Sequence, residues 1–191
     1  MDAYIFDFDG VLVNTMEAHF ACYKQALEEV GIGIDKQQFY SQAGMTGREQ
    51  IAYFARRDGV TVDVDAIYKR NQELKSQYIE NITTIPVIIG LLKALRAAGQ
   101  PTAIASGSSK QSVLPIAARF GIEVDVVVGG DDVARGKPFP DLFLLAASRL
   151  HVNPEHCIVF EDSDVGIQAA REAGMKVLRF FDNVCSVAEC R

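Results

Sequence analysis

A chain of 191 residues is long enough to bury one substantial core and too short for two large ones, so one compact unit with room for an insertion is expected. With 49% hydrophobic and 23% charged residues, the composition excludes disorder, collagen-like repeats and coiled coil. The net charge of −6 leaves no basic footprint for nucleic acid or an anionic membrane surface, so an anionic ligand has to meet local positive groups or a metal.

In chain order, a continuous apolar run over residues 3–8 reads as a buried strand. Residues 15–84 carry no strand pattern. Helical spacing recurs there instead, at Phe20, Tyr23, Leu27 and Val30, then Ile51, Phe54 and Ala55, then Ile67, Leu74 and Tyr78. Further strands are expected over residues 102–105, 124–128, 157–160 and 176–181. Between them, Phe143, Ala146, Ala147 and Leu150 keep helical spacing after Pro140, and a helix over 163–173 stops at Gly174. The alternation predicts an α/β fold: a Rossmann-like, doubly wound parallel sheet with an inserted all-α cap domain. The catalytic core would comprise residues 1–14 and 85–191, and the cap residues 15–84. Leaving directly after the first strand, the cap would project from the carboxyl edge of the sheet and act as a lid.

Cys22, Cys157, Cys185 and Cys190 lack CxxC spacing and have no histidine cluster beside them. Free thiols in a reducing compartment are expected, although Cys185 and Cys190 could bridge. No basic leader and no apolar run of about 18 residues occurs, so the expectation is a soluble cytoplasmic protein with no membrane partner, a monomer.

Four stretches could carry chemistry. Asp7-Phe8-Asp9-Gly10 ends the first strand with two carboxylates two residues apart, on one side of an extended chain. Two anions facing one site call for a hard divalent ion such as Mg²⁺. Gly10 stands fourth from Asp7, which excludes an EF-hand loop. Ser106-Gly107-Ser108-Ser109 follows a second strand and offers hydroxyls and backbone N–H groups to a phosphate. In Gly136-Lys137-Pro138 a lysine is pinned between glycine and proline; five residues rather than four separate Gly130 from Gly136, and Pro138 takes the Ser/Thr position, so this is no Walker A loop. Glu161-Asp162 ends a later strand and could complete the oxygen shell of the same metal. Asp164 suits the start of the next helix. Singly, these stretches also read as a solvated acidic turn, a helix cap, a surface lysine and capping acids. Together and in this order, at successive strand ends, they argue for one site.

In that combination the sequence resembles the haloacid dehalogenase superfamily, in its helical-cap branch that includes sugar phosphatases and β-phosphoglucomutase. The likeness spans the whole chain. It implies a catalytic set of Asp7, Asp9, Ser106 and Lys137. Asp7 would be the nucleophile and form an aspartyl-phosphate. Asp9 would protonate the leaving oxygen and then deprotonate water. Mg²⁺ would be held by Asp7, the backbone carbonyl of Asp9 and Asp162, with Glu161 beside it through water. Ser106, Gly107, Ser108 and Lys137 would bind the phosphoryl group. Retention of Asp9 counts against a dehalogenase, because a departing halide needs no proton. Two departures are visible: Asn14 stands where relatives often carry Asp, and the chain is short after the fourth motif.

Specificity is expected from the cap. In Gly44-Met45-Thr46-Gly47-Arg48-Glu49, Thr46 and Arg48 would reach the substrate, Arg48 by a bidentate grip on an anion or, more plainly, in a surface ion pair with Glu49. His19 lies where the β-phosphoglucomutase-like branch often has a histidine near substrate, while a hinge role is its alternative. His151 and His156 read as surface residues. The leading expectation is a Mg²⁺-dependent phosphatase acting on a small phosphorylated metabolite, such as a sugar phosphate. A phosphomutase is the runner-up, with Lys69 and Lys75 available as a second clamp. A phospho-receiver domain is the non-enzymatic alternative, although its motif order differs.

Overall fold

The computed structural model describes residues 2–42, 45–78, 82–181 and 184–187. Strand β1 (Ala3–Phe6) ends in a tight turn and a two-residue strand, β2 (Val13–Asn14). Four helices follow: α1 (Met16–Glu28), α2 (Lys36–Ser41), α3 (Gly47–Asp58) and α4 (Val64–Tyr78). The chain re-enters the α/β part through β3 (Thr83–Thr84), then runs α5 (Pro86–Ala97), β4 (Thr102–Ala105), α6 (Lys110–Arg119), β5 (Val126–Val128) and α7 (Asp141–Leu150). A 3-10 turn at Pro154–His156 leads into β6 (Cys157–Glu161), α8 (Asp164–Glu172), β7 (Lys176–Phe181) and β8 (Val184–Val187).

The main sheet has the order β5-β4-β1-β6-β7-β8, parallel throughout except for the antiparallel edge pair β7 and β8. Period-2 alternation splits each strand between two layers. On β1, Ala3 and Ile5 join the cluster that includes Leu142 and Phe143 of α7 and Ile167 of α8. Phe6 joins the opposite cluster with Ile88 and Leu92 of α5 and Val113 and Ile116 of α6. Both faces are therefore covered, which is why the strands read as continuous apolar runs. Phe6 stacks on Phe160 of the neighbouring strand, with centroids 4.7 Å apart and rings within 6° of parallel. Phe6→Ala is expected to cost about 3–5 kcal/mol of stability, as read from urea unfolding midpoints.

The helical segment has its own core, in which Tyr23, Leu27, Phe39, Ile51, Phe54, Ile67 and Leu74 pack together. Helix α3 starts at a reciprocal capping box between Thr46 and Glu49 and stops at Gly59 in the left-handed region.

Three details differ from the sequence reading. The first strand stops at Phe6 and the 124–128 strand begins only at Val126, because Asp7 and Val124 lie in irregular backbone flanking the strands. The ribbon β2–β3, pairing Val13 with Thr84 and Asn14 with Thr83, falls where no strand was expected, since two residues are too few to show a period. The edge strand β8 was also unforeseen. It follows β7 so closely that an antiparallel return is the only economical pairing. No helix among the described residues is long and apolar enough to cross a membrane. Cys22 and Cys157 are buried free thiols, and the Cys185–Cys190 pairing lies outside the described side chains.

Candidate active site

The chain runs from β1 to β4 and β5 on one side of the sheet and returns to β6 and β7 on the other. That reversal opens a crevice at the carboxyl ends of β1 and β6. Asp7 follows β1 directly and its N–H donates to the Phe160 carbonyl at 2.9 Å, which fixes it beside the end of β6. Glu161 closes β6 and Asp162 follows it. Oxygen atoms of Asp7, Glu161 and Asp162 all lie within 4.8 Å of one another.

Lys137 enters this cluster from the loop after β5, its side chain wholly buried. Its Nζ donates to Asp7 Oδ1 at 2.9 Å and to Glu161 Oε1 at 2.5 Å, and lies 5.0 Å from the Phe143 ring centroid. Burial alone would lower the pKa of this ammonium, but the two carboxylates outweigh it and raise it above the ordinary lysine range. Glu161 is further held by the N–H and hydroxyl of Ser163, which reach its other oxygen at 2.7 and 2.9 Å. It fits because residue 166 is glycine: a Cβ there would collide with the Glu161 carboxylate. Gly10 is required twice over, since its φ is +90° and a Cβ would run into the Asp162 carboxylate.

One lysine does not balance three acids. Burial, opposed by Lys137 and reinforced by Glu161 and Asp9, raises the Asp7 pKa to about 7. Burial together with Glu161 and Asp7 raises Asp162 well above the ordinary carboxylate range. Asp162 forms no salt bridge among the described residues. This deficit of positive charge and the all-oxygen donor set fit a hard divalent cation such as Mg²⁺.

The Asp9 carboxylate lies outside this cluster, so a contribution from Asp9 to a metal would be limited to its backbone carbonyl. Its side chain accepts from the hydroxyls of Thr15, of Ser108 at 2.8 Å and of Ser106 at 3.3 Å, and His19 Nε2 stands 3.5 Å away. Burial would raise the Asp9 pKa, but His19, the Thr15 hydroxyl, Lys75 and the Ser108 hydroxyl together lower it. Burial, countered by Asp9 and aided by Lys75, pushes the His19 pKa down to about 4. His19, the hydroxyls and Lys75 together favour the ionised form of Asp9.

Above these groups is a cavity of about 40 Å³ between the sheet edge and the helices. Asp7, Asp9, Gly107, Ser108 and Asp162 form its floor, with His19 at the side. Ser106 is fully buried beneath it, accepting from the Ser108 N–H at 3.0 Å, so of the second motif Gly107, Ser108 and Ser109 face the open space. The sequence reading missed Tyr23, Gln50 and Tyr68, which line the cavity from α1, α3 and α4; of the two lysines it offered as a second clamp, Lys75 lines the cavity and Lys69 does not. The structure does not bring Arg48 or Thr46 to the cavity. Arg48 is exposed, donates to Asp65 at 2.6 Å and covers the Tyr68 ring at 4.3 Å, so its partner is Asp65 rather than Glu49. Thr46 caps α3. Gly44 lies outside the described residues, and Asn14 is exposed on the ribbon, away from the site.

Residues 4–180 match the family described as haloacid dehalogenase-like hydrolase. The chain belongs to that family. This haloacid dehalogenase-like hydrolase is 32% identical over 174 residues to the fructose-1-phosphate phosphatase YqaB of Escherichia coli, covering 90% of this chain and 92% of that one. It is 31% identical to a phosphorylated carbohydrates phosphatase of Thermotoga maritima, over 92% of this chain and 83% of the other. Among solved structures, β-phosphoglucomutase of Clostridium difficile superposes with a TM-score of 0.86 at 26% identity, covering 93% of this chain and 83% of that one. The chain is thus an enzyme, and the phospho-receiver reading is set aside.

Proposed function

We propose that the enzyme is a Mg²⁺-dependent phosphatase that hydrolyses a small phosphorylated carbohydrate through an aspartyl-phosphate on Asp7. The observation that carries this is the pairing of buried Asp7 with Lys137 beneath a cavity whose floor also presents Asp9, two residues further on. Asp7 is held by a hydrogen bond on one carboxylate oxygen, aimed for attack on phosphorus. Lys137 and the backbone at Gly107 and Ser108 would bind the non-reacting oxygens. Asp7 and Asp162, with Glu161 beside them, would hold Mg²⁺, which would neutralise charge on the phosphoryl group. Asp9, kept ionised by its hydroxyl partners, is set to take a proton from water in the second half-reaction. To protonate the leaving oxygen in the first half, it has to exchange those partners for substrate. The helical segment, packed over the site, would serve as the lid and supply leaving-group contacts through Tyr23, Gln50, Tyr68 and Lys75.

Phosphomonoester hydrolysis is placed ahead of phosphoglucomutase chemistry on the likeness to two carbohydrate-phosphate phosphatases. Among the described residues lining the cavity, Lys75 is the one lysine or arginine. Arg48 is committed to Asp65 outside it. Lys75 is therefore the lysine that a second phosphate group, as on a sugar bisphosphate, would have to use.

A panel of sugar phosphates incubated with Mg²⁺ should release free phosphate, and EDTA should suppress turnover. From β-glucose 1-phosphate, accumulation of glucose 6-phosphate with little free phosphate would transfer the assignment to a mutase. Inertness towards the whole panel would remove both readings. Because the metal has to displace protons from Asp7 and Asp162, apparent Mg²⁺ affinity should weaken as pH falls from about 7 towards 5. Isothermal titration in two buffers of different ionisation enthalpy would detect the released protons.

A further inference from the structure

One carboxylate ties the helical segment to the loop that carries Lys137. Glu49, in the first turn of α3, uses Oε2 for its own helix, accepting from the Thr46 N–H at 3.0 Å and the Thr46 hydroxyl at 2.5 Å. Its other oxygen, Oε1, accepts from the N–H of Gly136 across the gap at 3.0 Å. Gly136 is buried and directly precedes Lys137. The two surfaces meet without slack. A Cβ at residue 136 would collide with the Glu49 carboxylate and stand 2.5 Å from Thr46 Cγ2, and a Cβ at Gly130 would lie 3.2 Å from that same methyl. Glu49 has no ion-pair partner among the described residues. Its charge is instead met by N–H groups, those at the start of α3 and that of Gly136.

We infer that Glu49 is a positioning residue for Lys137: by accepting the Gly136 N–H when the helices lie over the sheet, it sets the lid in register with the phosphate-binding loop. This rests on the reading of Lys137 as a phosphate-holding group. The contact bridges the two parts of the chain, so it exists only in the closed arrangement and acts on the closed complex rather than on first encounter with substrate. It also assigns the third position of the α3 capping box a task that capping alone does not need. Glutamine satisfies a capping box as well, and its side-chain carbonyl can still accept from Gly136.

Three variants test this. Glu49→Ala should lower kcat by roughly 10- to 100-fold with KM changed by less than about threefold, as expected for one charge-assisted hydrogen bond made in the closed state. Glu49→Gln should recover kcat to within about threefold of wild type. Gly136→Ala, which keeps both capping-box residues but drives a Cβ against the Glu49 carboxylate, should reproduce the Glu49→Ala loss, and the double variant should be no worse than the poorer single. A readout independent of turnover is amide hydrogen exchange at Gly136, followed by NMR with Mg²⁺ and orthovanadate present. Protection should persist in wild type and Glu49→Gln and fall about tenfold or more in Glu49→Ala. A Glu49→Ala protein that melts lower yet keeps its kcat would reduce Glu49 to a helix cap and overturn the inference. Equal Gly136 protection in wild type and Glu49→Ala would overturn it too. If wild type hydrolyses no phosphate ester, the exchange measurement still decides whether the clasp exists.

Discussion

Asp7→Asn is expected to abolish turnover, lowering kcat by on the order of 10⁴-fold or more, because an amide oxygen is too weak a nucleophile to form the acyl-phosphate. The fold should survive. Asparagine keeps a carbonyl oxygen where Lys137 donates, and it removes an anion from a buried cluster that already holds too many. The metal-free variant should therefore melt no lower than wild type at pH 7.5. The sign follows from the pKa of Asp7, raised from 3.8 to about 7. The folded wild-type chain retains a proton there that the unfolded chain releases, so stability falls as pH rises from about 4 to about 7. Asparagine does not titrate, and its advantage in EDTA should grow across that window and level off above it. Thermal melts in EDTA across this range, paired with phosphate release in Mg²⁺, separate the two effects. Full activity in the variant would remove Asp7 from the nucleophile role.

Lys137→Met should damage both activity and stability. The substitution strands Asp7 and Glu161 in a buried site without their cation, and breaking one side of a buried ion pair costs about 3–5 kcal/mol. Loss of the positive charge beside the phosphoryl position should lower kcat/KM by about 10²- to 10³-fold even in the folded fraction. Lys137→Arg is not a conservative repair, because a planar guanidinium cannot sit where one compact ammonium meets two carboxylates over the Phe143 ring. Adding Glu161→Gln to Lys137→Met removes one uncompensated charge. The double variant should regain stability relative to the single while staying inactive. Urea unfolding and steady-state kinetics on the three proteins test the assignment, and a fully active Lys137→Met would refute it.

The core of the site was legible because parallel sheets collect strand ends at one edge. Once Asp7, Ser106, Glu161 and Asp162 each follow an apolar run, the topology has to bring them together. Lys137 was legible for a different reason, its rigid setting between Gly136 and Pro138. What escaped the sequence depends on packing between elements. Ile67 and Leu74 mark the buried side of α4, but their spacing does not say that Tyr68 and Lys75 beside them turn towards Asp9 rather than solvent. Arg48 was drawn to the substrate by its Gly-rich context, yet its partner Asp65 sits on another helix and no local pattern announces the pair. The hydrogen bond from Thr15 to Asp9 was hidden because a threonine before a helix reads as a cap, and here its side chain caps nothing.

The ribbon β2–β3 bears on how such a chain tolerates its own middle. About seventy residues leave the sheet at Val13–Asn14 and return at Thr83–Thr84, side by side, so the loop-closure entropy of the whole excursion is met by one small antiparallel pairing. To the core, the helices amount to a long hairpin loop. Their length and sequence can drift, or be exchanged wholesale, with almost no consequence for strand order, provided the two short strands still find each other.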